Sequence, residues 1–277
     1  MVDKFPLLAV TYRSLRDRKD MFRQPGMTIH GFLFNGNQSM ENGSFEPYET
    51  ELVKTILPKI DVLINIGANI GYYACHALKN QKKVIAFEPI ELNVQYLLRN
   101  INSNDWQKDC EIYPIALSNQ VGIIEIYGGG TGASLLKGWA GAAESYKTLV
   151  PCATLDNVLG KRLDGQKVFV IVDIEGAEYM MLEGASYLLD MNPKPIWLVE
   201  ICVEEHQPQG IKINPNLLKT FEKFWDRGYE SITADNRFKK VNKEEISNIL
   251  KTQVDSLGTH NFIFYEFGSC PIGNVEL

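Results

Sequence analysis

From residue 61 to residue 201 this 277-residue chain alternates short apolar runs with segments of helical spacing, and few architectures accommodate that rhythm. Strand-like runs read at 61–66, 83–87, 111–116, 168–174 and 195–201. Helix-like segments read at about 70–79, 92–101, 177–189 and 216–227. Several of the strands, Val168-Phe-Val-Ile-Val172 above all, are apolar without alternation, as expected when helices cover both faces. The rhythm predicts an α/β fold, a mostly parallel Rossmann-like sheet built from right-handed crossovers. Such a sheet takes its ligand outside the carboxyl ends of the strands, where the strand order reverses.

Two regions stand outside the rhythm. Residues 1–45 are irregular, punctuated by Pro25, Gly26, Gly31, Gly36 and Gly43, and read as an N-terminal arm or cap on a main domain of 46–277. From Glu46 a helical pattern (Tyr48, Leu52, Val53, Ile56, Leu57) runs until Pro58 stops it. Residues 122–128 alternate enough to form a strand, at the sheet edge or in a hairpin. Residues 128–149 read as a long glycine-rich loop with Trp139 at its apolar tip, either a surface excursion or a lid.

Composition narrows the partners. The net charge is −6, and the nearest approach to a basic patch (Arg13, Arg16, Arg18, Lys19, Arg23) is interrupted by Asp17 and Asp20. Nucleic-acid binding draws on clustered Lys and Arg, so no nucleic-acid partner is expected. Cys75, Cys110, Cys152, Cys202 and Cys270 are scattered and odd in number, which suggests neither a disulfide framework nor a zinc site. No apolar stretch reaches the roughly 20 residues of a membrane helix, and no secretory leader is evident, so the expected location is cytoplasmic.

The chemistry begins where the first strand runs into Gly67-Ala-Asn69-Ile-Gly71 and a helix. Glycine permits a sharp turn and close backbone approach, and Asn tolerates the left-handed region. Glu88 stands 21 residues after Gly67, at the end of the second strand, where a carboxylate can accept hydrogen bonds from both hydroxyls of a ribose. The pair points to an adenosine-type cofactor. A dinucleotide loop would place glycines at positions 69 and 72, but Asn69 and Tyr72 stand there, so a nicotinamide-dependent oxidoreductase is the minor alternative. A third cluster, Asp173-Ile-Glu175-Gly176-Ala-Glu178, delivers acids to the same edge. Asp173 and Glu175 point the same way if the extended conformation persists that far. Glu200 closes the next strand, and His206 lies in the loop after it.

The sequence resembles the FkbM-type methyltransferase family from about Tyr48 to Phe264. The resemblance rests on Ile66-Gly67-Ala-Asn69-Ile-Gly71, Ala86-Phe-Glu88-Pro89 with Asn93, Ala116-Leu-Ser118, Thr154-Leu-Asp156, Asp173-Ile-Glu175-Gly176-Ala-Glu178 and His260–Tyr265. It implies a seven-stranded sheet with an antiparallel last hairpin, supplied here by 229–233 and 261–265. It also implies methyl transfer from S-adenosylmethionine to a hydroxyl of a sugar, glycan or secondary metabolite. One position departs: the family generally has an acid two residues before the first glycine, where this chain has Asn65. An amide offers a carbonyl oxygen but no charge there, so weaker cofactor binding or a non-catalytic member of the family is an alternative.

On that footing Gly67, Asn69 and Gly71, with Asn65, hold the methionine part, Glu88 holds the ribose, and Asn93 and Ser118 flank the adenosine. The base is Asp173 or Glu175, with His206 as a competitor. Asp173 and Glu200 are alternatively candidate ligands for Mg²⁺. The acceptor is expected to be a small molecule or glycan met by the N-terminal arm, the loop around Trp139 and the segment after Glu200; Phe32, Phe34, Trp139 and Tyr146 are candidates for stacking on a sugar ring.

Overall fold

A computed structural model of the chain describes residues 23–272, so Arg13, Arg16, Arg18, Lys19 and the first half of the expected arm lie outside the described residues. Its centre is a seven-stranded sheet ordered β11-β12-β10-β9-β3-β4-β5. Here β3 is Val62–Ile66, β4 Lys83–Phe87, β5 Cys110–Tyr113, β9 Val168–Val172, β10 Ile196–Glu200, β11 Tyr229–Thr233 and β12 Asn261–Glu266. Every neighbouring pair is parallel except those of β12, which runs antiparallel to both β10 and β11. From β3 the chain steps outward through β4 to β5, then returns to lay β9 and β10 on the other side. The order therefore reverses between β3 and β9.

Both faces of the central strands are covered. Val62, Ile64 and Ile66 of β3 join Val168, Val170 and Val172 of β9 in one apolar layer. Leu63, Phe169, Ile171 and Leu198 join the opposite layer, under the helices Pro47–Ile56 and Tyr72–Lys79. All ten residues of β3 and β9 are buried, which accounts for their unbroken apolar sequence. Among the described residues no helix is long and apolar enough to cross a membrane.

The structure departs from the sequence expectations at several points. The expected third strand divides: Pro114, which lacks an N–H, ends β5, and β6 (Ala116–Leu117) joins a separate three-stranded sheet ordered β6-β8-β7. In that sheet β7 (Gly122–Tyr127) forms a hairpin with β8 (Lys147–Ala153), so of the two placements for 122–128 the hairpin is the one adopted. The long loop is accordingly 128–146. The expected helix 177–189 is two helices, Glu178–Glu183 and Ser186–Asp190, parted at Gly184, where an added Cβ would stand 2.5 Å from the Ser118 carbonyl oxygen. A helix at Lys243–Thr252 was not expected. Its cap Asn242 accepts from the Glu245 amide at 2.9 Å.

Ahead of the sheet, β1 (Gly26–Met27) and β2 (Leu33–Phe34) pair antiparallel. The main-chain N–H groups of Leu33 and Asn35 donate to the side chains of Asn104 and Asn100 at 2.9 and 2.7 Å. Phe32 and Phe34 are buried against His76 and Tyr72, so they serve packing and offer no face for a sugar.

Candidate functional site

Where the strand order reverses, a cleft of about 600 Å³ opens beyond the carboxyl ends of β3, β4 and β9. Among the residues that line it, Glu88, Asp173 and Glu175 are the only charged ones.

The turn after β3 is built by the protein's own backbone. Gly67 has φ +77°, and a Cβ there would stand 1.7 Å from the Asp173 carbonyl oxygen. Gly71 (φ +91°) precedes the helix Tyr72–Lys79, and its Cβ would stand 2.4 Å from Leu97 Cδ1. Both glycines thus answer close contacts inside the protein, whereas the sequence suggested close approach to a ligand. Asn69 sits in the left-handed region at φ +49°, and its N–H donates to Glu88 Oε2 at 2.8 Å.

Glu88 is buried at 4% exposure. Its Oε1 accepts from the Ile90 N–H at 2.9 Å and from Asn93 Nδ2 at 3.2 Å. Three of the roughly four acceptor positions of a carboxylate are therefore filled, leaving room for one ribose hydroxyl where two were expected. Burial raises its pKa, and the three donors pull it back. Asn93 Nδ2 also donates to the Gly130 carbonyl at 3.4 Å. Ser118 is fully buried and does not line the cleft; its predecessors Ala116 and Leu117 do.

Asn65 shares a strand parity with Leu63 and so projects to the same side of the sheet as Ala86, Ile171 and Leu198; it does not itself line the cleft. Its Oδ1 is buried without a hydrogen-bond partner among the described residues, as is Oδ1 of Asn69. A buried acceptor left unpaired costs roughly 1–3 kcal/mol, so Asn69 in the lining of the acid cleft, with Asn65 one residue before the lining residue Ile66, fits a ligand that brings donors and positive charge. The ammonium and sulfonium of S-adenosylmethionine have that character. A diphosphate does not.

The extended conformation ends at Val172, and Glu175 takes φ +55°. The expected strand alternation therefore does not carry Asp173 and Glu175 to one face, although both line the cleft. Asp173 is open to solvent through the cleft mouth. The surrounding protein, followed by the charges of Glu200, Glu175, Glu46 and Glu88, drives its carboxyl well above the ordinary range, and water in the cleft moderates that push. Burial and the charges of Glu175 and Glu178 push Glu200 up to about 8. Glu178, at 2% exposure, is likewise pushed by burial to about 8, although the Gly176 N–H donates to it at 3.0 Å. Glu46 is raised by burial, and Tyr73 donates its hydroxyl to it. No ion pair among the described residues engages any of these acids. Nor do three His, Cys, Asp or Glu side chains there come together as a metal site, so the Mg²⁺ reading of Asp173 and Glu200 has no third ligand. His206 is exposed and lies outside the cleft lining, its ring 6.1 Å from that of Trp139.

Glu46 and Trp139 were not marked in the sequence as acid-site residues. Glu46 lies 127 positions before Asp173, and nothing local announces that its charge is felt there. Trp139 is fully buried although it belongs to a loop. Its Nε1 donates to Glu175 Oε2 at 2.8 Å, and a Cβ on Gly176 would stand 2.5 Å from its ring. The long loop supplies Gly130, Ala133 and Leu135 to the cleft wall.

The model of the FkbM methyltransferase domain matches residues 65–231. No curated protein matches the chain significantly. Among solved structures, a methyltransferase FkbM from Methylobacillus flagellatus KT is 16% identical over 74% of this chain and 44% of that one, with a TM-score of 0.42. The chain thus spans less than half of that protein. A precorrin-6y C5,15-methyltransferase from Geobacter metallireducens GS-15 is 10% identical over 78% of this chain and 89% of that one (TM-score 0.38). An O-methyltransferase family protein from Burkholderia thailandensis is 10% identical over 83% and 58% (TM-score 0.39).

Proposed function

Because the chain belongs to the FkbM methyltransferase family, we propose that its cleft binds S-adenosylmethionine and that it methylates a hydroxyl of a small-molecule or glycan acceptor. The observation that carries this reading is the lining of the cleft, which holds Glu88, Asp173 and Glu175, the unpaired amide oxygen of Asn69, and no cation. A nicotinamide dinucleotide would bring two phosphates to that lining and find nothing to neutralise them. We further read 46–277 as the methyltransferase domain, with the preceding residues as its cap. A cytoplasmic location suits the five free cysteines.

When bound, S-adenosylmethionine supplies a methyl group already activated on a sulfonium, so the chain's residues need only align the acceptor and take its proton. Glu88 and Asn93 would hold the ribose, and Asn65 and Asn69 would meet the donors of the amino-acid part. Asp173 would accept the proton of the acceptor hydroxyl at its carboxylate. Of the three candidate bases it is the one that lines the cleft with its carboxylate unclaimed, since Glu175 is engaged by Trp139 and His206 lies outside.

Asn65, in place of an acid, favours a second reading, a family member that binds the cofactor without turnover. Calorimetry with S-adenosylmethionine, S-adenosylhomocysteine and NAD, beside a methyl-transfer assay on a panel of hydroxylated acceptors, decides among the readings. Binding of the first two with transfer supports the proposal, and binding without transfer supports the second reading. Binding of NAD alone removes both.

A further inference from the structure

The loop 128–146 is tied down at three places around the cleft. Asn93 Nδ2 donates to the Gly130 carbonyl on the Glu88 side. Over the acid turn, Ser134 Oγ donates to the Glu175 carbonyl at 2.6 Å while Trp139 Nε1 donates to the Glu175 carboxylate. Beyond β10, the Ala140 N–H donates to the His206 carbonyl at 2.8 Å. The segment bends at Gly128, Gly130, Gly138 and Gly141, all at positive φ, and Ala140 itself is held at φ +49°. A tryptophan in a surface connection is seldom fully buried; this one is seated on Gly176, the one residue type that leaves room for its ring.

We propose that Trp139 is a positioning residue of the site. Its indole N–H fixes one oxygen of Glu175 at the cleft floor, and its ring locks the loop that forms the cleft wall, so cofactor release requires the Trp139–Glu175 contact to break. The inference rests on the reading of the cleft as a cofactor site. Removing a hydrogen bond to a charged group releases the loop by roughly tenfold or more.

The test uses the full chain, labelled with ¹⁵N at tryptophan, and S-adenosylhomocysteine as probe. The Trp139 indole resonance is the one absent from W139F. It is expected shifted by its charged acceptor, slow to exchange with water, and moved in E175Q. Stopped-flow dissociation of S-adenosylhomocysteine should quicken about tenfold in W139F, and to a lesser degree in S134A, which leaves the ring in place. A resonance that exchanges like a free indole and ignores E175Q overturns the proposal. So do dissociation rates within about twofold of the parent in both variants, whatever their melting temperatures. If the parent chain binds neither S-adenosylmethionine nor S-adenosylhomocysteine, the cofactor reading fails, while the resonance still shows whether Trp139 holds Glu175.

Discussion

Gly67 touches Asp173: the backbone of the first turn lies so close to the end of β9 that a Cβ would stand 1.7 Å from the Asp173 carbonyl oxygen. Gly67→Ala must therefore displace main chain, in addition to adopting a positive φ. The expected cost is at least ~2 kcal/mol, with loss of cofactor binding. Gly165→Ala is the control, since its φ is also positive (+76°) but nothing lies within 4 Å, and it should cost only about 1 kcal/mol. Denaturant unfolding of the two variants checks the difference.

Glu88 braces the turn as well as lining the cleft. Glu88→Ala leaves the Asn69 and Ile90 amides without their acceptor, so affinity for S-adenosylhomocysteine should fall by roughly tenfold or more. Glu88→Gln retains one carbonyl oxygen and should lie between. Calorimetry at fixed salt reads both, and equal affinity in all three proteins removes Glu88 from the site.

The acid cluster makes stability depend on pH in an unusual direction. Glu178 and Glu200 hold their protons up to about 8 when folded, against 4.5 ordinarily, and Asp173, Glu46 and Glu88 are raised too. Between those limits the folded chain binds more protons than the unfolded one, so this contribution is fully present below about 4.5 and is lost as pH rises toward 8. The melting temperature of the ligand-free protein is expected to fall from pH 5 to pH 8. Glu178→Gln should flatten the slope, at no more than ~1.4 kcal/mol per pH unit for one group.

Asp173 should be needed for turnover more than for binding. Asp173→Asn is expected to keep S-adenosylmethionine affinity within about threefold and to lower the transfer rate by on the order of 10²–10⁴. Because Asp173 must be deprotonated to act, the rate of the parent enzyme should rise with pH above the ordinary carboxylate range. Removing the charge of Glu200 by Glu200→Gln should move that rise toward acid. Initial rates against pH for parent and variant measure it.

Asn65 offers a gain rather than a loss. Asn65→Asp replaces an unpaired amide oxygen with a charged acceptor, so affinity for the cationic cofactor should increase several-fold. The ligand-free protein should become less stable, because one more buried carboxylate joins an uncompensated set. Thermal melts with and without S-adenosylmethionine separate the two effects.

The parallel sheet was legible because burial on both faces writes itself as unbroken apolar runs, as in β3 and β9. Strand β8 was not: Pro151 and the exposed Leu149 obscure it, and its partner is a hairpin apart from the main sheet. The helix Lys243–Thr252 does carry a signal, Asn242 three residues before Glu245, but its first turn is otherwise polar and shows little apolar spacing. In the cleft, the glycines, Glu88 and Asp173 could be placed from strand ends alone. The service each glycine performs could not, because it depends on Asp173 and Leu97, which the fold brings in from elsewhere. Glu46 and Trp139 were hidden for the same reason.

Between β3 and β9 the strand order reverses, and strands from two portions of the chain meet there, β3 to β5 from the earlier and β9 and β10 from the later. A molecule resting across their junction touches both, with Asn69 and Glu88 on one portion and Asp173 and Glu175 on the other. Neither portion alone presents a complete grip. On the proposed reading, occupancy therefore requires both portions in place, and a chain with one of them unravelled would go empty-handed.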